Sequence, residues 1–112
     1  MEELIDQSII KQMTTDLGQE TCFRLVQLFI DEMTDLHSKL NSAFNSENTN
    51  AIGDITHIIK NSAALYGAMQ LSDKATEINN RLTIFNQPLV SSDNIILSLM
   101  ANTLLQYNDK YN

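Results

Sequence analysis

One long amphipathic segment, from about Gln19 to Phe44, limits the folds open to this chain more than any other feature. Its apolar residues recur at intervals of three and four, which places them on one face of an α-helix. They are Cys22, Val26, Phe29, Ile30, Met33, Leu36, Leu40 and Phe44. A single helix cannot bury so long a stripe by itself, so the chain has to supply other helices to cover it.

Four further segments show helical spacing and predict the helices that would do so. They run from about Asp6 to Leu17, Thr49 to Tyr66, Gln70 to Phe85, and from a cap at Ser91 or Ser92 through Tyr107. Asp6 suits an N-cap, while Gly18 and Gly67 follow helix ends. Short connections make neighbouring helices antiparallel. We therefore expect an all-α, up-down-up-down four-helix bundle with a short N-terminal capping helix, as one domain over residues 1–112.

The charge balance excludes several classes of partner. Fourteen acidic side chains face seven basic ones, for a net charge of −7. That charge repels a phosphate backbone, so nucleic-acid binding is not expected, and the same argument applies to an anionic membrane surface. No apolar run is long enough to cross a bilayer, and the acidic start does not resemble a secretory signal. Cys22 is the only cysteine, so neither an internal disulfide nor a cysteine cluster for zinc can form. A cytoplasmic, monomeric protein fits these features.

The stretch ITHIIKNSAALYGA, residues 55–68, places a histidine in an otherwise apolar helix. With Ile59 at the centre of the buried face, His57 points about 160° away from it at helical spacing. A histidine that belonged to the core would lie on the apolar stripe instead. His57 is therefore either an ordinary exposed histidine or a reactive group.

Small residues surround His57 on that predicted outer face, where an ordinary solvated surface would carry longer polar side chains. They are Gly53, Asn61, Ala64 and Ala68, and Lys60 flanks the histidine three positions on. Gly53 costs helix stability, which suggests a reason for it. The reason is an unobstructed surface of small side chains around His57, a close contact between helices, or a position early enough in the helix to cost little. If it is the unobstructed surface, Gly53→Gln would weaken docking of a partner and leave the melting temperature nearly unchanged.

An exposed imidazole is a good nucleophile near neutral pH, and a nearby cation favours an anionic group on it. The sequence offers no glycine-rich phosphate loop and no evident catalytic base beside His57. The site could accept a group from the active site of another protein, and phosphoryl transfer suits that arrangement. A di-metal site is not expected, because a second inward carboxylate-x-x-histidine motif is missing. His37 lies about 40° from the apolar centre of its helix, which favours a satisfied, mostly buried histidine.

The stretch HIIKNSAALYGA resembles the signature of histidine-containing phosphotransfer (HPt) domains. That signature is a histidine, a lysine at +3, small residues at +4 to +6 and a glycine at +10. The matching residues are His57, Lys60, Asn61, Ser62, Ala63 and Gly67. Among family members, the chain looks closest to the small stand-alone type found in quorum-sensing phosphorelays.

The resemblance implies a phosphoryl carrier, not an enzyme. His57 would take a phosphoryl group from the receiver domain of a hybrid sensor histidine kinase and pass it to the receiver domain of a response regulator, in a two-component phosphorelay. It implies no intrinsic cofactor, since Mg²⁺ would sit on the receiver. Lys60 would steady the phosphoryl oxygens.

Two positions differ from the family pattern. Asn61 stands where most members have glycine, and it could crowd a docking receiver or hydrogen-bond the phosphoryl group. Asn79 stands where the family often has a glutamine whose side chain approaches the imidazole, and its amide is shorter. The alternative from another functional class is a helical adaptor that binds a protein partner through the bundle surface without phosphate.

Overall fold

Five α-helices and a short 3-10 turn make up the structure, a computed structural model that describes residues 3–111. The helices are α1 (Gln7–Leu17), α2 (Gln19–Asn45), α3 (Thr49–Tyr66), α4 (Met69–Thr83) and α5 (Ile95–Tyr111), and the 3-10 turn covers Ser91–Asn94. The described residues contain no strand, so the all-α prediction is confirmed. None of the helices in this part of the chain is both long and apolar enough to span a membrane.

The core forms where the apolar stripe of α2 packs between α3 and α5, while α4 packs mainly on α3. The ring of Phe29 in α2 stacks on Tyr66 of α3, with ring centroids 4.6 Å apart. The same ring meets Tyr107 of α5 edge-on, with centroids 5.1 Å apart. The Tyr107 hydroxyl donates to the Tyr66 carbonyl oxygen at 2.7 Å. Burial raises the pKa of Tyr107, so its hydroxyl remains a neutral donor.

Helix α1 closes one end of this bundle, as predicted. The Asp6 side chain accepts from the Ser8 N–H at 3.0 Å and caps α1. The Asp6 N–H donates to the Gly67 carbonyl oxygen at 2.8 Å, which joins the start of α1 to the end of α3. Gly67 has a left-handed φ of 92°, and a Cβ there would lie 2.9 Å from the Asp6 carbonyl oxygen. Glycine is therefore required by both conformation and space.

The entry into α5 differs from the sequence prediction. Neither Ser91 nor Ser92 caps the helix directly, because a 3-10 turn precedes it. Within this turn the Asp93 carboxylate is fully buried and accepts the Val90 N–H at 2.9 Å. Arg81 of α4 donates to both carboxylate oxygens, at 2.5 and 2.6 Å. Both bonds come from Arg81 Nη1, and this ion pair ties the end of α4 to the 3-10 turn before α5, across a loop that contains the chain's one proline.

Removing one partner of this ion pair should destabilise the fold. Asp93→Ala leaves Arg81 without its buried partner, so we expect a loss of about 3 kcal/mol in the free energy of unfolding. Urea denaturation measures it. The matched control is Asp35→Ala, which breaks an exposed pair with Lys39 and should cost less than about 1 kcal/mol. Equal losses in the two variants would contradict a structural role for the Arg81–Asp93 pair.

Candidate functional site

His57 lies on the one strip of α3 that the rest of the bundle leaves uncovered. Ile52, Ile59 and Ala63 are fully buried against the core. On the other side of the helix lies an exposed strip made of Asn50, Asp54, His57, Ile58, Asn61 and Leu65. The prediction that His57 points away from the core is confirmed.

The His57 side chain has no partner among the residues that the structure describes, whether by hydrogen bond or by ion pair. The other histidine behaves differently. His37 is half-buried, and its Nε2 lies 3.1 Å from the Leu97 carbonyl oxygen of α5. The prediction of a satisfied, structural His37 is confirmed, and the contrast singles out His57 as the imidazole open to an external group.

Lys60 lies one turn beyond His57 and is half-buried. Within residues 3–111 no carboxylate lies within 4 Å of its ammonium group, although most other basic side chains have such a partner. The paired ones are Arg24, Lys39, Lys74, Arg81 and Lys110. The Lys60 charge therefore remains available to an anion brought to this surface.

Asn61 and Ala64 complete the open surface on the C-terminal side of His57. Asn61 is exposed and Ala64 is half-buried, so both reach the surface as predicted. The apolar side chains Ile58 and Leu65 also lie here, with 43% and 65% of their surface exposed. The exposure leaves them free for a partner.

The predicted outward positions of Gly53 and Ala68 are wrong, because both residues are buried. Helix α4 covers the side of α3 that carries Gly53, and a Cβ there would meet the Thr83 methyl carbon at 3.4 Å. Ala68 follows the left-handed Gly67, which turns the chain away from the α3 axis, and it occupies the N-cap position of α4. A close contact between helices, one of the alternatives considered for Gly53, is the one observed.

Asn79 does not approach the imidazole. It is buried in the contact between α3 and α4, where its Nδ2 donates to the Gly53 carbonyl oxygen at 2.8 Å. The same amide lies 3.3 Å from the Thr56 hydroxyl. The shorter amide thus binds the backbone of α3 one turn before the histidine instead of binding the ring.

Sequence reasoning missed two buried polar residues of this contact, Thr56 and Ser72. Thr56 is fully buried, and its hydroxyl donates to the Ile52 carbonyl oxygen at 2.8 Å. Ser72 donates to the Lys60 carbonyl oxygen at 2.8 Å. A signal for Thr56 was present, because it lies about 60° from Ile59 on the helical wheel, on the face assigned to the core. A polar residue there implies a partner from another helix or from its own backbone.

The part of the chain that the structure describes contains no cluster of three or more histidine, cysteine, aspartate or glutamate side chains that could hold a metal ion. The acidic residue nearest to His57 along α3 is Asp54, three positions before it. The surface around His57 therefore offers a nucleophile, one cation and apolar side chains, without a preformed metal site.

Burial at position 53 revises the expected effect of substitutions there. Gly53→Ala adds a methyl group in ordinary contact with Thr83 and should stabilise the helix by up to about 1 kcal/mol. Gly53→Gln has to push a long side chain between α3 and α4, so it should lower the melting temperature by several degrees. Thermal unfolding followed by circular dichroism separates the two. A Gln variant as stable as the parent would show that the helices do not meet closely at Gly53.

The chain is similar in sequence to known proteins. The Hpt domain model matches residues 24–107. Phosphorelay protein LuxU of Vibrio cholerae is 37% identical over 81 residues, which cover 72% of this chain and 72% of that protein. The Vibrio vulnificus LuxU is 33% identical over 79 residues, or 70% of this chain and 69% of that protein.

A solved structure gives an independent likeness in fold. Histidine-containing phosphotransfer protein B (HptB) of Pseudomonas aeruginosa superposes with a TM-score of 0.81, over 99% of this chain and 93% of that one. Their sequences are 12% identical, so this likeness concerns the fold alone. From the match over residues 24–107 and the relatives above 30% identity, the chain belongs to the Hpt domain family.

Proposed function

We propose that this chain is a phosphoryl carrier in a two-component phosphorelay, and that His57 Nε2 accepts and donates the phosphoryl group. The observation that carries the proposal is the His57 side chain, which is exposed in mid-helix and has no partner in residues 3–111. Membership of the Hpt domain family supports it, as do the phosphorelay names of the Vibrio relatives. The chain itself completes no catalytic cycle and depends on its partners for the chemistry.

The phosphoryl donor would be an aspartyl phosphate on a receiver domain. The lone pair of His57 Nε2 attacks phosphorus in line, so that an N–P bond forms while the P–O bond to the aspartate breaks. The carboxylate leaves with the electron pair, and the ring keeps its proton on Nδ1. No base from this chain is required, because phosphoryl transfer depends mainly on positioning and on neutralising charge. The same steps in reverse deliver the group to the aspartate of a second receiver.

Lys60 would supply the positive charge that this chain contributes. Its ammonium has no carboxylate partner within the described residues, so no existing ion pair has to break when a phosphoryl group arrives. A charge-assisted hydrogen bond to a phosphoryl oxygen is worth about 1.5–3 kcal/mol. Lys60 lies one turn from His57 on the side of α3 that faces α4, which suits an approach to the flank of the phosphoryl group.

The partners would be the receiver domain of a hybrid sensor histidine kinase and the receiver domain of a response regulator, both in the cytoplasm. Ile58 and Leu65 give the exposed strip an apolar component that would lie against a docked receiver. Mg²⁺ would be bound by the acidic pocket of the receiver. Asn61, one turn after His57, would face the incoming receiver directly.

The assignment of His57 is tested by incubation with a phosphorylated receiver domain. We expect acid-labile, base-stable phosphate on the parent chain and none on His57→Gln, with unchanged circular dichroism, since the imidazole has no role in the fold. His37→Gln is the matched control and should still accept phosphate. Phosphate retained on His57→Gln would refute the assignment, and receiver binding without any phosphate would favour the phosphate-independent adaptor.

The role of Lys60 has its own test. Lys60→Ala should slow phosphoryl transfer by about 10- to 100-fold without abolishing it, the equivalent of one charge-assisted hydrogen bond. The matched control is Lys11→Ala, because Lys11 on α1 also lacks a carboxylate partner in the described structure. Single-turnover transfer from a phosphorylated receiver measures both. Equal rates for the two variants would remove Lys60 from the mechanism.

A further inference from the structure

Side chains of α4 donate hydrogen bonds to two backbone carbonyl groups of α3, one on either side of His57 in the sequence. Asn79 Nδ2 donates to the Gly53 oxygen at 2.8 Å, four residues before the histidine. Ser72 Oγ donates to the Lys60 oxygen at 2.8 Å, three residues after it. The two carbonyl groups are seven residues apart, which is close to two helical turns, so they share one face of α3.

The two donors are also seven residues apart, on one face of α4. Both are buried, with 7% of Ser72 and 5% of Asn79 exposed. Hydrogen bonds in such an environment are stronger than at the surface and are costly to lose, so they hold their partners in place. This Ser72–Asn79 clamp therefore fixes two turns of α3 against α4.

The clamp is connected to His57 through the backbone. In an α-helix the His57 N–H donates to the carbonyl oxygen four residues earlier, which is that of Gly53. That oxygen also accepts from Asn79, and the Thr56 hydroxyl lies 3.2 Å from it. The backbone N–H of His57 thus donates to an oxygen that also accepts a hydrogen bond from α4. No bond from the clamp reaches the imidazole.

We propose that Ser72 and Asn79 are positioning residues for phosphoryl transfer, a step that rests on the proposed function of His57. By binding the Gly53 and Lys60 carbonyl groups, they fix the turn that carries the imidazole, both in its position along the α3 axis and in its rotation about that axis. In-line attack requires the reacting atoms to lie about 3–3.5 Å apart with aligned orbitals, and a displacement of about 1 Å can cost 100-fold in rate. The clamp leaves the imidazole itself free for the phosphoryl group.

The proposal is tested with Asn79→Leu, which keeps the approximate shape of the side chain and removes the donor. The rate of transfer at saturating phosphorylated receiver should fall by at least about tenfold, because positioning acts on the chemical step. The receiver concentration that gives half the maximal rate should change by less than about twofold, because the exposed strip is intact. Ser72→Ala should act in the same direction by a smaller factor.

The stability-matched control is Ile96→Val, a substitution at a fully buried position of α5. It weakens the core without removing a bond between α3 and α4, and its transfer rate should equal that of the parent. If Asn79→Leu transfers as fast as Ile96→Val at saturation, or if only its half-saturating concentration changes, the positioning role is refuted.

A second readout does not depend on phosphate. In Asn79→Leu the backbone amide of His57 should exchange its hydrogen faster than in Ile96→Val, while the ¹⁵N shifts of the imidazole nitrogens should stay as in the parent. Unchanged exchange would overturn the clamp, and altered ring shifts would mean that Asn79 acts on the imidazole. If the parent chain never acquires phosphate, the proposed function fails, and the exchange result still decides whether the clamp holds His57.

Discussion

The packing of α3 against α4 is the contact on which the candidate site depends. The two helices approach closely where Gly53 has no side chain, and buried polar side chains of α4 bind the backbone of α3 there. Each such hydrogen bond contributes about 1 kcal/mol, while a buried group left without a partner costs about 1–3 kcal/mol. In the described residues no buried side-chain nitrogen or oxygen lacks a partner. The register between the two helices is therefore specified by polar groups as well as by apolar fit.

Much of the fold followed from sequence because its signals are local. Helical spacing located α1 to α4 within about two residues, since an apolar stripe and its end residues are read from neighbouring positions. Asp6 and Gly67 were recognisable for the same reason. The pairing of Arg81 with Asp93 was not, because the two residues lie twelve positions apart on either side of a loop. The late start of α5 follows from that missed contact.

The candidate site was predictable to the extent that a single helix defines it. The wheel placed His57 away from the core because its direction relative to Ile59 depends only on helical geometry. The same wheel could not say where α4 lies, so it left Gly53 on an open face that is in fact covered. It also stops applying beyond Gly67, where the left-handed residue redirects the chain toward Ala68. Burial by a neighbouring helix is a property of the tertiary structure.

The arrangement separates the support of the helix from the chemistry of the ring. A side chain that bound the imidazole directly would hold it in place but would also occupy one ring nitrogen and fix its tautomer. Here Asn79 is engaged with the Gly53 carbonyl oxygen, and no described residue binds the His57 ring. Both ring nitrogens can therefore respond to the docked partner. Under the proposed function, a docked receiver therefore meets a ring with no hydrogen bond to residues 3–111 that would have to be displaced.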